Sequence, residues 1–440
     1  MSQPACDRIK LIAKPYHMFL NSIKPTIVIA GAGFGGIRAA LDLNNAFKKN
    51  PNLAKKYNLY LIDQNDHHLY IPAIYEIAAT IHDDAKIMKL KEAVALPLEK
   101  IFLPSDPIKF HQAKITKIDI ANNKIILNDH ASLKYAQLIM GLGSDTNFYN
   151  IPGLKKIALT LGNLNSAIKI RSTIEKKFCE NLKTKKIIKI VIGGGGVTGV
   201  ELAGELTGYI KKLNKKYQTK IKPYLTIIEG QKDILPGFDF KMVSWAKKRL
   251  GKLGVNIVTG DLIEEIRFNS ALTKSGGRFD FDILVWSGGI KPNPIIETLP
   301  FEHDKRGRIA VQENFCPVFR GGDKTCSNIF IIGDNCCRLR HQTLPQTAQM
   351  AIDQGAHIAK IIWVGIKKKP WPKYYPIHNN YILPIGGKFA LADLGAIKAK
   401  GFLVWVLKEF VFLDYLISIL SFPQALAHWF KAVRLFIKND

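Results

Sequence analysis

At 440 residues the chain is longer than one ordinary domain, and two or three are expected. Its 47% hydrophobic and 22% charged residues are those of a globular protein, while 63 basic against 36 acidic residues leave a formal net charge of +27. The lysines are dispersed, with short clusters at Lys183–Lys186 and Lys367–Lys369 and neither an arginine-rich arm nor a zinc-finger spacing, so an anionic membrane surface is expected as partner and nucleic acid is not.

Six cysteines (Cys6, Cys179, Cys316, Cys326, Cys336, Cys337) show no C-x-x-C pair and no metal-ligand spacing, which predicts a cytosol-facing chain without structural disulfides and without a metal. Residues 1–24 hold Pro4 and Pro15 and no apolar core of signal-peptide length, and read as an N-terminal extension. No run of 18 uncharged apolar residues occurs anywhere, so no transmembrane helix is expected.

The first element, Pro25-Thr-Ile-Val-Ile-Ala30, is a β-branched run suited to a parallel strand buried on both faces. Gly31-Ala-Gly33-Phe34-Gly35-Gly36 follows, then a helix start at Ile37. Strand, G-x-G-x-x-G and helix in that order form a dinucleotide turn. Gly31 makes the bend, Gly33 lets the backbone approach a pyrophosphate, and Gly36 lets helix and strand pack closely. The phosphates then meet free N–H groups at the helix N-terminus. A second strand, Asn58–Ile62, ends in Asp63, placed to accept from the ribose hydroxyls of an adenosine.

The same order recurs downstream. The strand Lys186–Ile192 leads into Gly194, Gly196 and Gly199, a helix opens at Val200, and the strand Leu225–Ile228 ends in Glu229. A carboxylate there holds a free 2′-hydroxyl and repels a 2′-phosphate, which predicts NADH rather than NADPH. Two dinucleotide units in one chain imply electron transfer between two carriers, usually a nicotinamide donor and a flavin.

Further on, Asn328–Ile332 reads as a strand ending in Gly333-Asp334. With Gly31–Gly36 this resembles the two-dinucleotide-binding-domain flavoproteins. Other segments resemble the type II NADH:quinone oxidoreductases: Asp66-His-His-Leu-Tyr-Ile-Pro-Ala-Ile-Tyr-Glu-Ile-Ala78, Thr198–Glu205, Val285–Pro294 and Ala348–Gly355. The resemblance implies a single-subunit, non-proton-pumping enzyme passing electrons from NADH through FAD to a membrane quinone. It implies an α/β fold with two Rossmann-like domains, the NADH domain inserted in the FAD domain, and a C-terminal amphipathic helical region on the membrane. The boundaries expected are 25–152 and 279–385 for the FAD domain, 153–278 for the NADH domain and 386–440 for the membrane-binding region.

The resemblance gives FAD to the first turn because Asp334 would contact the ribityl chain. It adds Phe34, Gly35, His68, Ala113 and Gly143 on the flavin side, and Thr198 and Gly289 beside Gly194, Gly196, Gly199 and Glu229 on the NADH side. Glu201 would lie beside the flavin at the nicotinamide, orienting its amide or relaying a proton. Gln349 would hydrogen-bond a quinone carbonyl. The chain departs from the family where Asp353 replaces a glutamine beside Gln354, where Gly141-Leu142-Gly143 replaces Ala-Thr-Gly, and where Gly162 replaces a lysine.

From Gly401 onward the chain is dense in Phe, Trp and Leu. Lys408, Glu409 and Asp414 interrupt the apolar stretch Phe402–Leu420, which argues against a span. After Pro423, Leu426, Trp429, Phe430, Val433, Phe436 and Ile437 fall on one helical face and Lys431, Arg434 and Lys438 on another. That predicts an interfacial helix with a tryptophan at the headgroups, a monotopic protein on the cytoplasmic face of the inner membrane, and a homodimer contact. Removing the chain after Gly386 is expected to abolish vesicle binding and leave FAD bound.

Sulfide:quinone oxidoreductase is the alternative enzyme. It needs cysteines at the flavin, yet Cys336 and Cys337 are adjacent and point apart, and the second turn would be idle. A dithiol-disulfide reductase lacks its cysteine pair, since none lies between Cys6 and Cys179. A non-catalytic flavin-binding partner protein has no use for a second carrier. His67 and His68 lack the further ligands of a metal site.

Overall fold

The strand Thr26–Ala30 is buried at every position, as its unbroken β-branched run requires. A computed structural model of the chain describes residues 24–81, 91–182, 187–321, 326–338, 344–377 and 380–439. The expected extension (residues 1–23 of it), the Lys183–Lys186 cluster and the Lys438 side chain lie outside what is described.

Thr26–Ala30 is the centre of a five-stranded parallel sheet with the order Ile329–Ile331, Gln137–Met140, Thr26–Ala30, Asn58–Asp63, Ile108–Gln112. A second parallel sheet repeats the plan in the order Leu159–Thr160, Ile283–Trp286, Ile188–Gly193, Pro223–Glu229, Val255–Thr259. Each carries a three-stranded antiparallel excursion, residues 115–134 in the first and 263–280 in the second. In both, the strand that returns from the excursion pairs directly beside the central strand.

That duplication corrects one boundary. The second domain does not end at Arg278, because Ile283–Trp286 returns into its sheet next to Ile188–Gly193. The two chain crossings between domains are Ser144–Thr146 and Ile290–Pro292, paired antiparallel, so the inserted domain lies between them.

The helix Phe34–Lys48 crosses the helix Ala348–Ile366 at two glycines. A Cβ at Gly355 would overlap the Gly35 carbonyl, and one at Gly35 would lie 2.9 Å from the Ala351 oxygen. The crossing therefore brings the segment that carries Gln349 and Asp353 against the start of the first turn helix.

The C-terminal region begins before residue 386. Tyr381–Pro384, Ala390–Asp393 and Lys398–Gly401 form one antiparallel sheet, which leads into a helical hairpin, Phe422–Asn439 folded back on Phe402–Ile419. Arg249 of the second domain donates to the carbonyls of Ile385 and Gly386, clamping this sheet in place. Among the described residues no helix is long and apolar enough to cross a membrane.

The apolar face expected on the last helix is divided. Ala425, Ala432 and Phe436 are buried, and the Trp429 indole N–H donates to the Glu409 carbonyl at 2.6 Å rather than standing free. Phe422, Phe430 and Ile437 stay exposed. The preceding helix supplies most of the exposed apolar stripe: Phe402, Leu403, Leu407, Phe410, Val411 and Ile417. The reason is that Phe422–Asn439 needs one side for docking, whereas Phe402–Ile419 turns Lys408 and Glu409 inward and leaves only Asp414 exposed among its charges.

Candidate functional site

The two glycine turns are superposable in their local bonding. Gly31 has φ +104 and donates to the Ile62 carbonyl at 2.8 Å; Gly194 has φ +106 and donates to the Ile228 carbonyl at 2.8 Å. Only glycine adopts this backbone without strain. A Cβ at Gly36 would overlap the Gly31 oxygen, and one at Gly199 the Gly194 oxygen. Gly33 and Gly196 instead cap their helices with nothing within 4 Å of where a Cβ would stand. Neither helix has an acidic residue in its first turn, so each N-terminus is open and free of repelling charge, as a pyrophosphate requires.

The strand-end acids repeat the match. Asp63 accepts from Ala32 N at 2.7 Å and Asn65 N at 2.8 Å; Glu229 accepts from Gly195 N at 2.6 Å and Gln231 N at 2.8 Å. Each carboxylate is thus held rigidly beside its turn and keeps lone pairs for a ribose. Thr198 lies exposed at the second helix start, and Gly289 has φ +152 against the Tyr149 ring.

Asp334 follows the strand Ile329–Ile331 of the first sheet, so it stands at the same sheet edge as the first turn. Burial pushes its carboxyl up, opposed by a 2.7 Å hydrogen bond from Ser144 and the charge of Arg308. Beside it, Asn335 donates to the Gly143 carbonyl at 2.6 Å, while its buried Oδ1 has no partner among the described residues. An unsatisfied acceptor beside a polar acid is what a flavin's hydroxylated chain would complete, and the first turn fits FAD on that observation. Ala113 is buried and ties its N–H to the Asp63 carbonyl at 2.8 Å. Gly141 leaves room for Ile332, whose side chain comes within 3.2 Å of where a Cβ would be.

His68 is fully buried, and burial pushes its imidazole down to about 4, so the ring is neutral. Its Nδ1 faces the Ala32 carbonyl at 2.9 Å and must carry the proton, because a carbonyl only accepts. Nε2 then accepts from the Tyr415 hydroxyl at 2.6 Å. Both nitrogens are committed to the protein, and Phe34 packs edge-on to the ring at 4.9 Å.

Glu201 marks where three parts of the chain meet. Burial pushes its carboxyl up to about 8, with Lys408 of the C-terminal hairpin opposing and Glu76 of the flavin-side segment reinforcing the shift. Lys408 Nζ lies 3.6 Å from Glu76, 3.1 Å from Glu409 and 3.1 Å from the Tyr75 hydroxyl, to which it donates. Glu76 and Glu409 are themselves buried. Two of the three residues that interrupt the apolar stretch 402–420, Lys408 and Glu409, therefore belong to an internal charge cluster, while Asp414 is exposed. Glu76, Lys408 and Glu409 were not singled out from the sequence as site residues. The detectable signal was two adjacent charges inside a run too apolar to waste them.

The segment that carries Gln349 and Asp353 is partly spoken for. Gln349 Oε1 accepts from Asn380 N at 3.3 Å, leaving its amide N–H groups to donate. Asp353 accepts from the Tyr374 hydroxyl at 2.6 Å, so the departure from glutamine is compensated locally. Gln354 is buried and accepts from Gly333 N at 2.7 Å, bracing the Asp334 loop.

Cys336 and Cys337 are thiols that point apart, to the carbonyls of Gly333 and Arg308, with burial pushing them up to about 12 and about 11. Among the described residues no group of His, Cys, Asp or Glu side chains is placed to hold a metal ion.

Residues 25–355 match the pyridine nucleotide-disulphide oxidoreductase family. The chain is 30% identical over 349 residues to a type II NADH:quinone oxidoreductase of Staphylococcus haemolyticus, covering 76% of this chain and 81% of that one. It is 29% identical over 373 residues to the protein of that name from Staphylococcus saprophyticus, covering 82% and 87%. In fold it is similar to NDH2 from Plasmodium falciparum solved in complex with NADH, with a TM-score of 0.77, 18% identity and coverage of 93% and 98%. The sulfide:quinone oxidoreductase of Aquifex aeolicus is also similar in fold, with a TM-score of 0.71, 17% identity and coverage of 89% and 90%.

Proposed function

We propose, from the premise that this chain belongs to the type II NADH:quinone oxidoreductases of the pyridine nucleotide-disulphide oxidoreductase family, that it is an FAD-dependent enzyme passing electrons from NADH to a quinone without proton pumping. The observation that carries this is the meeting of both glycine-turn domains with the C-terminal hairpin at Glu201, Glu76 and Lys408. A bound flavin supplies the hydride-accepting and electron-releasing chemistry between the two substrates.

The chain's own residues do the rest. Gly31, Gly33 and Gly36 shape the FAD pyrophosphate site, with Phe34, Gly35, Asp63, Ala113, Gly143 and Asp334 around it, and His68 fixing the turn. Gly194, Gly196, Thr198, Gly199, Glu229 and Gly289 hold NADH. Glu229 selects the free ribose. Net turnover consumes NADH, one proton and quinone to give NAD+ and quinol, so a group that holds a proton at neutral pH is needed. Glu201 is that group in this reading, kept protonated by its surroundings. Gln349 donates its amide N–H to the quinone carbonyl.

The hairpin's exposed stripe, together with the +27 charge, supports peripheral binding to an anionic membrane. The cytoplasmic leaflet is the proposed side, supported by five described cysteines that are all free thiols. A homodimer sharing this apolar surface completes the reading, and sedimentation in detergent checks it. Sulfide chemistry is disfavoured because Cys336 and Cys337 diverge and are held as thiols.

Steady-state NADH oxidation by the purified, FAD-loaded chain tests the assignment. Consumption that needs a water-soluble quinone analogue, matched by quinol formation, is expected. NADH consumption that ignores the quinone would sink it.

A further inference from the structure

A continuous hydrogen-bonded line runs from the C-terminal hairpin to the first glycine turn. The Tyr415 hydroxyl donates to His68 Nε2 at 2.6 Å, His68 Nδ1 donates to the Ala32 carbonyl at 2.9 Å, and Ala32 N donates to Asp63 at 2.7 Å. Ala32 sits between Gly31, which makes the bend, and Gly33, which caps the helix. The line is walled by rings: Phe34 lies 5.2 Å and Tyr70 5.3 Å from Tyr415, centre to centre.

We propose that Tyr415 is a positioning residue for the flavin cofactor, bracing the first glycine turn through His68, so that the hairpin helps to hold FAD as well as facing the membrane. This rests on FAD occupying the first turn.

Both nitrogens of His68 have to find their partners inside the protein. His68 is 0% exposed and Tyr415 8% exposed, so water does not replace either partner. Without the hydroxyl, Nε2 is a bare acceptor in an aromatic enclosure, which is costly. The ring relieves that cost only by turning, and turning takes its N–H from the Ala32 carbonyl. The peptide units on either side of Ala32 then lose the constraint that aims Gly33 at the pyrophosphate. Neither His68 nor Tyr415 needs to touch FAD for its affinity to change.

The test is a double-mutant cycle on FAD affinity, using the full chain stripped of FAD and titrated with FAD by flavin fluorescence. Tyr415→Phe keeps the ring and removes the hydroxyl. His68→Phe keeps a ring and removes both nitrogens, and with them the donor to the Ala32 carbonyl. Each is expected to weaken FAD binding about tenfold, and the double variant no more than either single one. NADH affinity at the second turn is expected to stay unchanged, which a general loss of stability would not allow. Phe412→Leu, a packing change on the same helix, is expected to leave FAD affinity within about twofold. Additive losses, or a Tyr415→Phe chain that binds FAD as tightly as the parent, overturn the brace. A Gly33→Val chain that retains FAD would instead overturn the assignment of the first turn beneath it.

Discussion

Glu201 has its carboxyl pushed from its ordinary 4.5 up to about 8, and this has a signed consequence for stability. Between those values the folded chain keeps a proton that the unfolded chain has released, so stability falls as pH rises through the window and levels off above about 8. Glu201→Gln removes that slope. Its melting temperature is expected to gain on the parent from pH 5 to pH 9, read by scanning fluorimetry; parallel curves would remove the proton from the argument. For turnover, the parent should lose quinone reduction as pH rises through about 8, while Glu201→Gln runs slower and flat. Glu229 gives a second residue-scale prediction. It is held by Gly195 N and Gln231 N beside the second turn, and Glu229→Arg should shift the kcat/KM ratio at least about tenfold towards NADPH. An unchanged ratio would remove Glu229 from the ribose.

At the scale of elements, the crossing of Phe34–Lys48 with Ala348–Ile366 depends on glycines 35 and 355. Gly355→Ala should destabilise the chain by about 2–3 kcal/mol and lower its FAD content, measured by denaturant titration and absorbance, because no flexible side chain is there to yield. The hairpin separates docking from exposure, so Phe410→Asp with Phe430→Asp should release the chain from anionic vesicles and leave FAD bound. Retained vesicle binding would move the membrane contact elsewhere. Both glycine turns, their strands and their terminal acids were legible in the sequence, because buried parallel strands and pyrophosphate turns leave contiguous patterns. Asn335, Glu76, Lys408 and Tyr415 were not, since each acquires its role from a residue more than a hundred positions away in the chain. The true return strand, Ile283–Trp286, was missed for a related reason: a three-stranded excursion separates it from the sheet it rejoins. The division of the last helix between docked and exposed residues was not legible, because periodicity marks an apolar face without saying what covers it.

Across the whole molecule, the insertion topology brings both glycine-turn domains and the hairpin together at Glu201, Glu76 and Lys408, and the C-terminal hairpin is packed into the body of the protein as well as exposed. Truncation after Gly386 should therefore cost vesicle binding and FAD together, in contrast to the surface variants, since it removes Lys408 and Tyr415. FAD retained by the truncated chain would show the hairpin to be dispensable for the cofactor. The proposed function sets a direction of electron flow, from the second turn through the first to a quinone. Stopped-flow absorbance of the FAD-loaded chain follows it directly, by mixing first with NADH under anaerobic conditions and then with a soluble quinone. Rapid bleaching of the flavin by NADH and rapid recovery only with quinone is the expected result. Bleaching that quinone fails to reverse, or no bleaching by NADH, would contradict it.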